Sequence, residues 1–263
     1  MTIPLIEIVG APGAGKTSIA DAVIRSGASV ASPLILRRRF ASKVPRVELR
    51  PFARLPLELG RRSRLLEFLF LKSVAQQLLR EAPVAGREDQ KEYLSLCSQL
   101  FGESRGPWKS KALAMQWWLE GFIDRINVES NTWKNVVYLD DEPLSYRLSM
   151  FDGVSRLSLI ERYFELVPLP GGLVHLRTNH DDLLARVLTR RKQAFRHEGL
   201  SVQEISSDLR FASEVAEIAS RNLKLRGVPV LELDSASSIV DNARKVRDMV
   251  ADLSGAGSES INP

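Results

Sequence analysis

Cysteine is almost absent. Cys97 is the single one in 263 residues, which excludes an intramolecular disulfide and a cysteine-built zinc site. A lone cysteine reads as a small buried apolar side chain. Long hydrophobic runs are missing too: no stretch approaches the roughly eighteen apolar residues that would cross a bilayer. No internal repeat is visible. The residues from Thr2 to Val9 lack the basic region that opens a secretory signal, so the expected location is the cytoplasm. What remains is ordinary globular composition, 44% hydrophobic and 26% charged. That supports one large domain, or a domain carrying an insertion.

Acidic residues are scarce in one place. Between Leu34 and Arg64 ten Lys and Arg stand against two acids, Glu48 and Glu58. The net charge of the whole chain is +5, so this stretch carries more than all of it. Such a patch fits an anionic partner: a phosphorylated small molecule, nucleic acid or an acidic surface. A solvated basic face is the plainer alternative.

The segment from Ile3 to Val9 is a short apolar run that reads as a buried parallel strand. It breaks into Gly10-Ala11-Pro12-Gly13-Ala14-Gly15-Lys16-Thr17, followed by Ser18 and a helical pattern to Arg25. This fits the Walker A pattern G-x-x-x-x-G-K-[ST] at every defined position. Glycines allow close backbone approach, so successive N–H groups can turn toward phosphate oxygens at a helix N-terminus. Gly10 through Ser18 are therefore the candidate nucleotide-binding residues. Lys16, placed on a surface loop, should reach the β- and γ-phosphates. Thr17 should offer its hydroxyl to Mg²⁺.

Val136 to Leu139 is a second apolar strand, ending in Asp140-Asp141-Glu142. Alternation along an extended chain would set Asp140 and Glu142 on one side and Asp141 on the other. One carboxylate, with Asp140 the metal candidate, would serve Mg²⁺, and another would accept a proton. Their division of labour stays open. A third site is basic: Arg186, Arg190 and Arg191. Arg186 and Arg190 are four apart and would share a helix face, where they could neutralise charge on a transferring phosphoryl group.

Elsewhere the pattern alternates. A weak strand lies within Ala28–Leu36. A helical block follows from Leu55 to about Asn127, with Trp117 and Trp118 read as core packing rather than a base-stacking platform. Leu157–Leu166 reads as helix, Leu173–Leu176 as strand, and Asp181–Gln193 as a helix capped by Asn179 or Asp181. Val202–Leu225 reads as a long helix, Val228–Leu233 as the last strand and Ser237–Leu253 as the last helix. Residues 254–263 read as a flexible tail. Strands alternating with helices predict an α/β fold with a parallel sheet.

The first loop resembles that of the nucleotide- and nucleoside-kinase group of P-loop enzymes. "LVHLRTNHDDLLARVLTRRK" looks like the strand, acidic helix start and arginine-bearing lid of thymidylate-kinase-like proteins. "RGVPVLELDSA" looks like their last strand and the loop against adenine. The resemblance covers Thr2–Ile24 and Val136–Leu253, not Ser32–Lys134. It implies a five-stranded kinase-like domain over residues 1–253, a helical insertion at about 55–130 and a lid at about 186–200. It also implies ATP and Mg²⁺ as cofactors, and transfer of the γ-phosphoryl group to a nucleoside, nucleotide, sugar or similar small acceptor, an anionic one being expected. A homodimer is allowed and nucleic acid is not expected. The family's Asp-Arg-aromatic or Glu-Arg-Ser after the central strand is replaced by Asp140-Asp141-Glu142-Pro143, so the acceptor does not carry over. Arg147 is the nearest arginine. The alternative is a P-loop ATPase or regulatory nucleotide-binding protein touching nucleic acid through residues 34–64. A GTPase switch would rest on Asn179-His180-Asp181-Asp182, which is one lysine short of the guanine-reading N-K-x-D. Pro143 stands where that class needs a glycine, and Asn179–Asp182 reads instead as a helix start.

Overall fold

The computed structural model describes residues 5–26, 30–31, 137–141, 157–190 and 195–255, with shorter pieces at 92–93, 95–97, 99–100, 118, 125, 143, 148 and 150–151. The strands are β1 (Leu5–Val9), β2 (Val30–Ala31), β3 (Val137–Asp140), β4 (Gly172–Arg177) and β5 (Val230–Asp234). The helices are α1 (Lys16–Arg25), α2 (Leu157–Leu166), α3 (His180–Leu188), α4 (Val202–Leu225) and α5 (Ile239–Gly255), with a 3₁₀ turn at Phe195–His197. All strands are parallel, in the order β2-β3-β1-β4-β5. This is the α/β architecture expected from the alternating pattern, with helices flanking the sheet.

The central strand reads LIEIV and is buried throughout. Strands buried on both faces lose the usual polar alternation, and Ile6, Ile8 and Val9 are fully covered. Register assigns the two faces. Ile6 is level with Leu139 and Gly172, and Met249 and Leu253 of α5 lie against Gly172. α1 packs beside α5 on that face. Glu7 is level with Asp140 and Leu173, and Val9 with His175. These belong to the opposite face, where α2 and α4 pack together and His175 approaches Glu217 of α4.

Glu7 is a buried charge on this second face. Arg125 lies 3.4 Å from it, and the two side chains are 9% and 3% exposed. Arg125 also donates to the carbonyl of Leu169. An aromatic cluster completes the layer. The Tyr93 and Tyr163 hydroxyls are 2.9 Å apart, Phe151 and Phe164 meet Tyr163 edge-on, and Trp118 Nε1 donates to Tyr93 at 3.3 Å. Trp118 is thus a packing residue, as its helical spacing implied. Cys97 is buried in the same core.

The α3 expectation needs correction. The helix ends at Leu188, not Gln193. The Thr189 hydroxyl bonds back to the carbonyl of Ala185 at 2.8 Å, and the Arg190 amide tightens onto Val187 at 3.4 Å. A hydroxyl that competes for the last carbonyls favours a helix end over continuation. The other helix boundaries lie close to their sequence readings. The long α4 opens on a reciprocal cap, with Ser201 accepting from the amide of Glu204 and Glu204 accepting from that of Ser201. Residues 34–64, most of the 55–127 block, and the tail beyond Gly255 lie outside the described residues.

Candidate nucleotide site

Parallel strands place their following loops on one edge of the sheet, where ligands of such folds collect. Here that edge gathers the loop after β1, the acids after β3, the Thr178–Asn179 turn after β4 and the Ser235–Ala236 turn after β5.

The phosphate loop is built by steric need. Gly10 has φ +154°, and a Cβ there would stand 2.6 Å from the carbonyl oxygen of Leu176, so no other residue fits. Gly15 sits just before α1 at φ 103°, ψ 15°, the left-handed region. A Cβ on Gly15 would meet nothing within 4 Å. No side chain caps α1 and no acid occupies its first turn. The first amides of the helix and its positive end therefore carry no side-chain cap, the arrangement that suits phosphate.

Lys16 is not the exposed loop charge expected from sequence. It is 7% exposed. Its Nζ donates to the carbonyls of Gly10 at 2.8 Å and Ala11 at 3.2 Å. With the loop wrapped around the helix start, those carbonyls are the acceptors within reach of its flexible stem. The ammonium is thereby held against the loop's own backbone. Thr17 and Ser18 are exposed at the head of the helix.

The acids stand lower than expected. Asp140 is the last residue of β3 and level with Glu7, three residues before Gly10. At about 3.3 Å per residue, that is roughly 10 Å of strand below the loop. By register Asp140 shares the face of Glu7. Both Asp140 and Asp141 are half-buried. Glu142 lies outside the described residues. Among the described residues no group of three or more His, Cys, Asp or Glu could hold a metal by itself. Mg²⁺ is typically carried by substrate phosphates with one or two protein oxygens. The Thr17 hydroxyl and a carboxylate after β3 are the donors this chain offers.

Among the described residues, one of the expected arginines meets the loop. Arg186, on α3, reaches the Ala14 carbonyl at 3.5 Å and Ser235 Oγ at 3.4 Å. It spans the phosphate loop and the turn after β5. Arg190 does not share its helix face, because α3 has already ended. Arg190 is exposed, and Arg191 lies outside the described residues. α3 itself is seated by Leu183 and Val187, both close to Gly13.

Sequence reasoning missed several polar residues around this edge. His175 on β4 is 2% exposed. Burial pushes its imidazole below the ordinary histidine pKa, with Glu217 opposing that shift. Its Nε2 lies 3.9 Å from Glu217, which also receives Arg177 at 2.9 Å. The turn at Phe195–His197 is pinned to α4: Arg196 Nε and His197 Nε2 each lie 2.9 Å from Asp208. Burial alone would raise the Asp208 carboxyl, but hydrogen bonds from His197 and Arg196 outweigh it and hold the pKa below the usual range. The basic run hid this cluster, because the compensating acid is eleven residues away.

No family model and no curated protein sequence matches the chain. Among solved structures it is similar to a shikimate kinase from Bacteroides thetaiotaomicron, at 14% identity and TM-score 0.38 over 95% of this chain and 99% of that one. It is also similar to a gluconokinase from Sinorhizobium meliloti 1021, at 15% identity and TM-score 0.35 over 97% of each chain. Likenesses this distant say nothing about chemistry. The fold rests on the sheet's own order and direction.

Proposed function

We propose that this chain is a P-loop phosphotransferase. It would pass the γ-phosphoryl group of a nucleoside triphosphate, with Mg²⁺, to a small anionic acceptor. The observation that carries this reading is the Gly10–Thr17 loop, with Gly15 left-handed at an uncapped helix start and Lys16 folded onto the loop's own carbonyls. Lys16 would leave the Gly10 and Ala11 carbonyls for the phosphates, exchanging two neutral acceptors for an anion, and charge-assisted hydrogen bonds are the stronger kind. Arg186 would steady the nucleotide between the loop and the β5 turn. Mg²⁺ held by the Thr17 hydroxyl and the phosphates would offset their negative charge. A carboxylate among Asp140, Asp141 and Glu142 would take the acceptor's proton. The register favours the later two for that task, since Asp140 lies lowest on the sheet. Arg190 and Arg191 belong to the segment that would cover the phosphates.

The test is nucleotide turnover by the purified chain, alone and with nucleosides, nucleoside monophosphates, sugars and sugar phosphates. Slow hydrolysis alone and a large stimulation by one acceptor class is the expected result. Stimulation by oligonucleotide, with none by any small acceptor, would replace the kinase reading with a nucleic-acid-dependent ATPase.

A further inference from the structure

α4 turns a polar stripe toward the corner between β4 and α3. Ser206, Arg210, Ser213 and Glu217 recur at intervals of four, three and four residues, so they share one side of the helix. Glu217 receives Arg177, the last residue of β4, at 2.9 Å. Ser213 and Glu217 line a cavity of about 530 Å³ between the ends of β4 and β5 and the facing sides of α3 and α4. Ser206 and Arg210 take His180, the first residue of α3. Arg210 Nε donates to His180 Nε2 at 3.4 Å. A guanidinium has only donors, so Nε2 is the acceptor, and the Ser206 hydroxyl donates to the same atom at 2.9 Å. His180 Nδ1 is buried and makes no hydrogen bond among the described residues. A buried polar atom without a partner costs stability. Stability alone would favour a side chain without that atom, so it does not explain this histidine.

His180, Leu183 and Val187 recur at intervals of three and four residues on α3 and share a face. Leu183 and Val187 lie so close to Gly13 that a Cβ there would stand 2.9 Å from Val187 Cγ2. Arg186 projects from the flank of this stripe and reaches the Ala14 carbonyl at 3.5 Å and Ser235 Oγ at 3.4 Å. Apolar contact is non-directional, so a helix seated on two apolar side chains can roll about them. Hydrogen bonds weaken steeply with angle, so the pair at His180 fixes the roll. A helix with its side chains is about 10–12 Å across, so a roll of about 20° would carry its surface through about 2 Å.

We propose that His180 is a positioning residue, which hangs α3 from α4 and holds Arg186 where its guanidinium meets the bound nucleotide. This rests on the nucleotide reading of the loop given above and deepens it. Arg186 makes the contact; His180 touches no ligand and acts only through Arg186. A displacement of about 1 Å at a site can cost about 10²-fold in rate, so the roll of α3 matters to function even where it matters little to the fold.

The experiment is a double-mutant cycle on the intact chain, read by titration with ATP and with GTP in the presence of Mg²⁺, and by thermal midpoint. Arg186→Ala should weaken binding of the preferred triphosphate by about tenfold, the loss of one charge-assisted contact. His180→Ala should weaken it several-fold. His180→Gln, whose side-chain carbonyl can accept from Ser206 and Arg210, should recover most of that loss. The double variant should bind no more weakly than Arg186→Ala alone, because the tether then has nothing to hold. The cost of His180→Ala in thermal midpoint should be the same in both backgrounds, as for an independent structural bond. Ser206→Ala leaves α3 and its cap untouched and should repeat the pattern if His180→Ala does not fold. Losses in affinity that multiply in the double variant, or unchanged affinity in either single variant, would overturn the positioning role and leave the nucleotide loop standing. Failure of the folded wild type to bind either triphosphate would overturn both.

Discussion

Lys16 shows how one side chain carries two states. In this structure its ammonium rests on the Gly10 and Ala11 carbonyls, acceptors that water could also satisfy. Replacing it should therefore cost the fold little and the chemistry much. Lys16→Ala should keep a thermal midpoint within a few degrees of wild type while turnover falls by about 10² to 10³-fold, the range for loss of a preorganised charge-stabilising donor. Circular dichroism melts and acceptor-dependent turnover on the same preparation check this pair. The residue's role was legible because G-x-x-x-x-G-K-T specifies backbone and side chain together. Its buried resting position was not legible, because it depends on where two carbonyls point after the loop folds.

At the scale of elements, the described strands and helices follow the periodicity closely, and the misplaced end of α3 is instructive. Helix-favouring Arg190 to Gln193 follow Leu188 in the sequence, but Thr189 bonds back to Ala185 and the turn closes. A single hydroxyl decided what a window of helix propensity could not. The Glu7–Arg125 pair was equally invisible, since an acid within a buried strand gives no clue to a partner more than a hundred residues away. Arg125→Ala should destabilise the fold, by at most about 3–5 kcal/mol, because it removes an ion-pair partner of the buried Glu7 carboxylate. Adding Glu7→Gln should restore much of that loss. Denaturant unfolding of both variants tests it, and equal midpoints for the single and double variants would remove the pair from the account of stability.

Among the described residues, Asp208 and the buried His175 tie the folded state to pH. His175 has a folded pKa below its unfolded value of about 6.5. The unfolded chain then binds the extra proton first, so stability is full above about pH 6.5 and falls as pH drops through that value. Asp208 is also depressed in the folded state, so its contribution is present above the unfolded pKa of about 3.9 and is lost as pH falls toward the lower folded value. Thermal midpoints should decline in two steps on acidification, and His175→Gln should flatten the upper step alone. The parallel sheet and its loop edge were legible in the order of apolar runs. The cavity between α3 and α4 was not, because residues from two strands and two helices meet there only after folding. The account as a whole is tested most directly by the fate of the γ-phosphoryl group. Phosphorus NMR of the chain with Mg²⁺, a nucleoside triphosphate and each acceptor class in turn should show a new phosphoryl ester or anhydride on one class. That signal should disappear in Lys16→Ala. Release of inorganic phosphate alone, at a rate no acceptor changes, would contradict phosphoryl transfer.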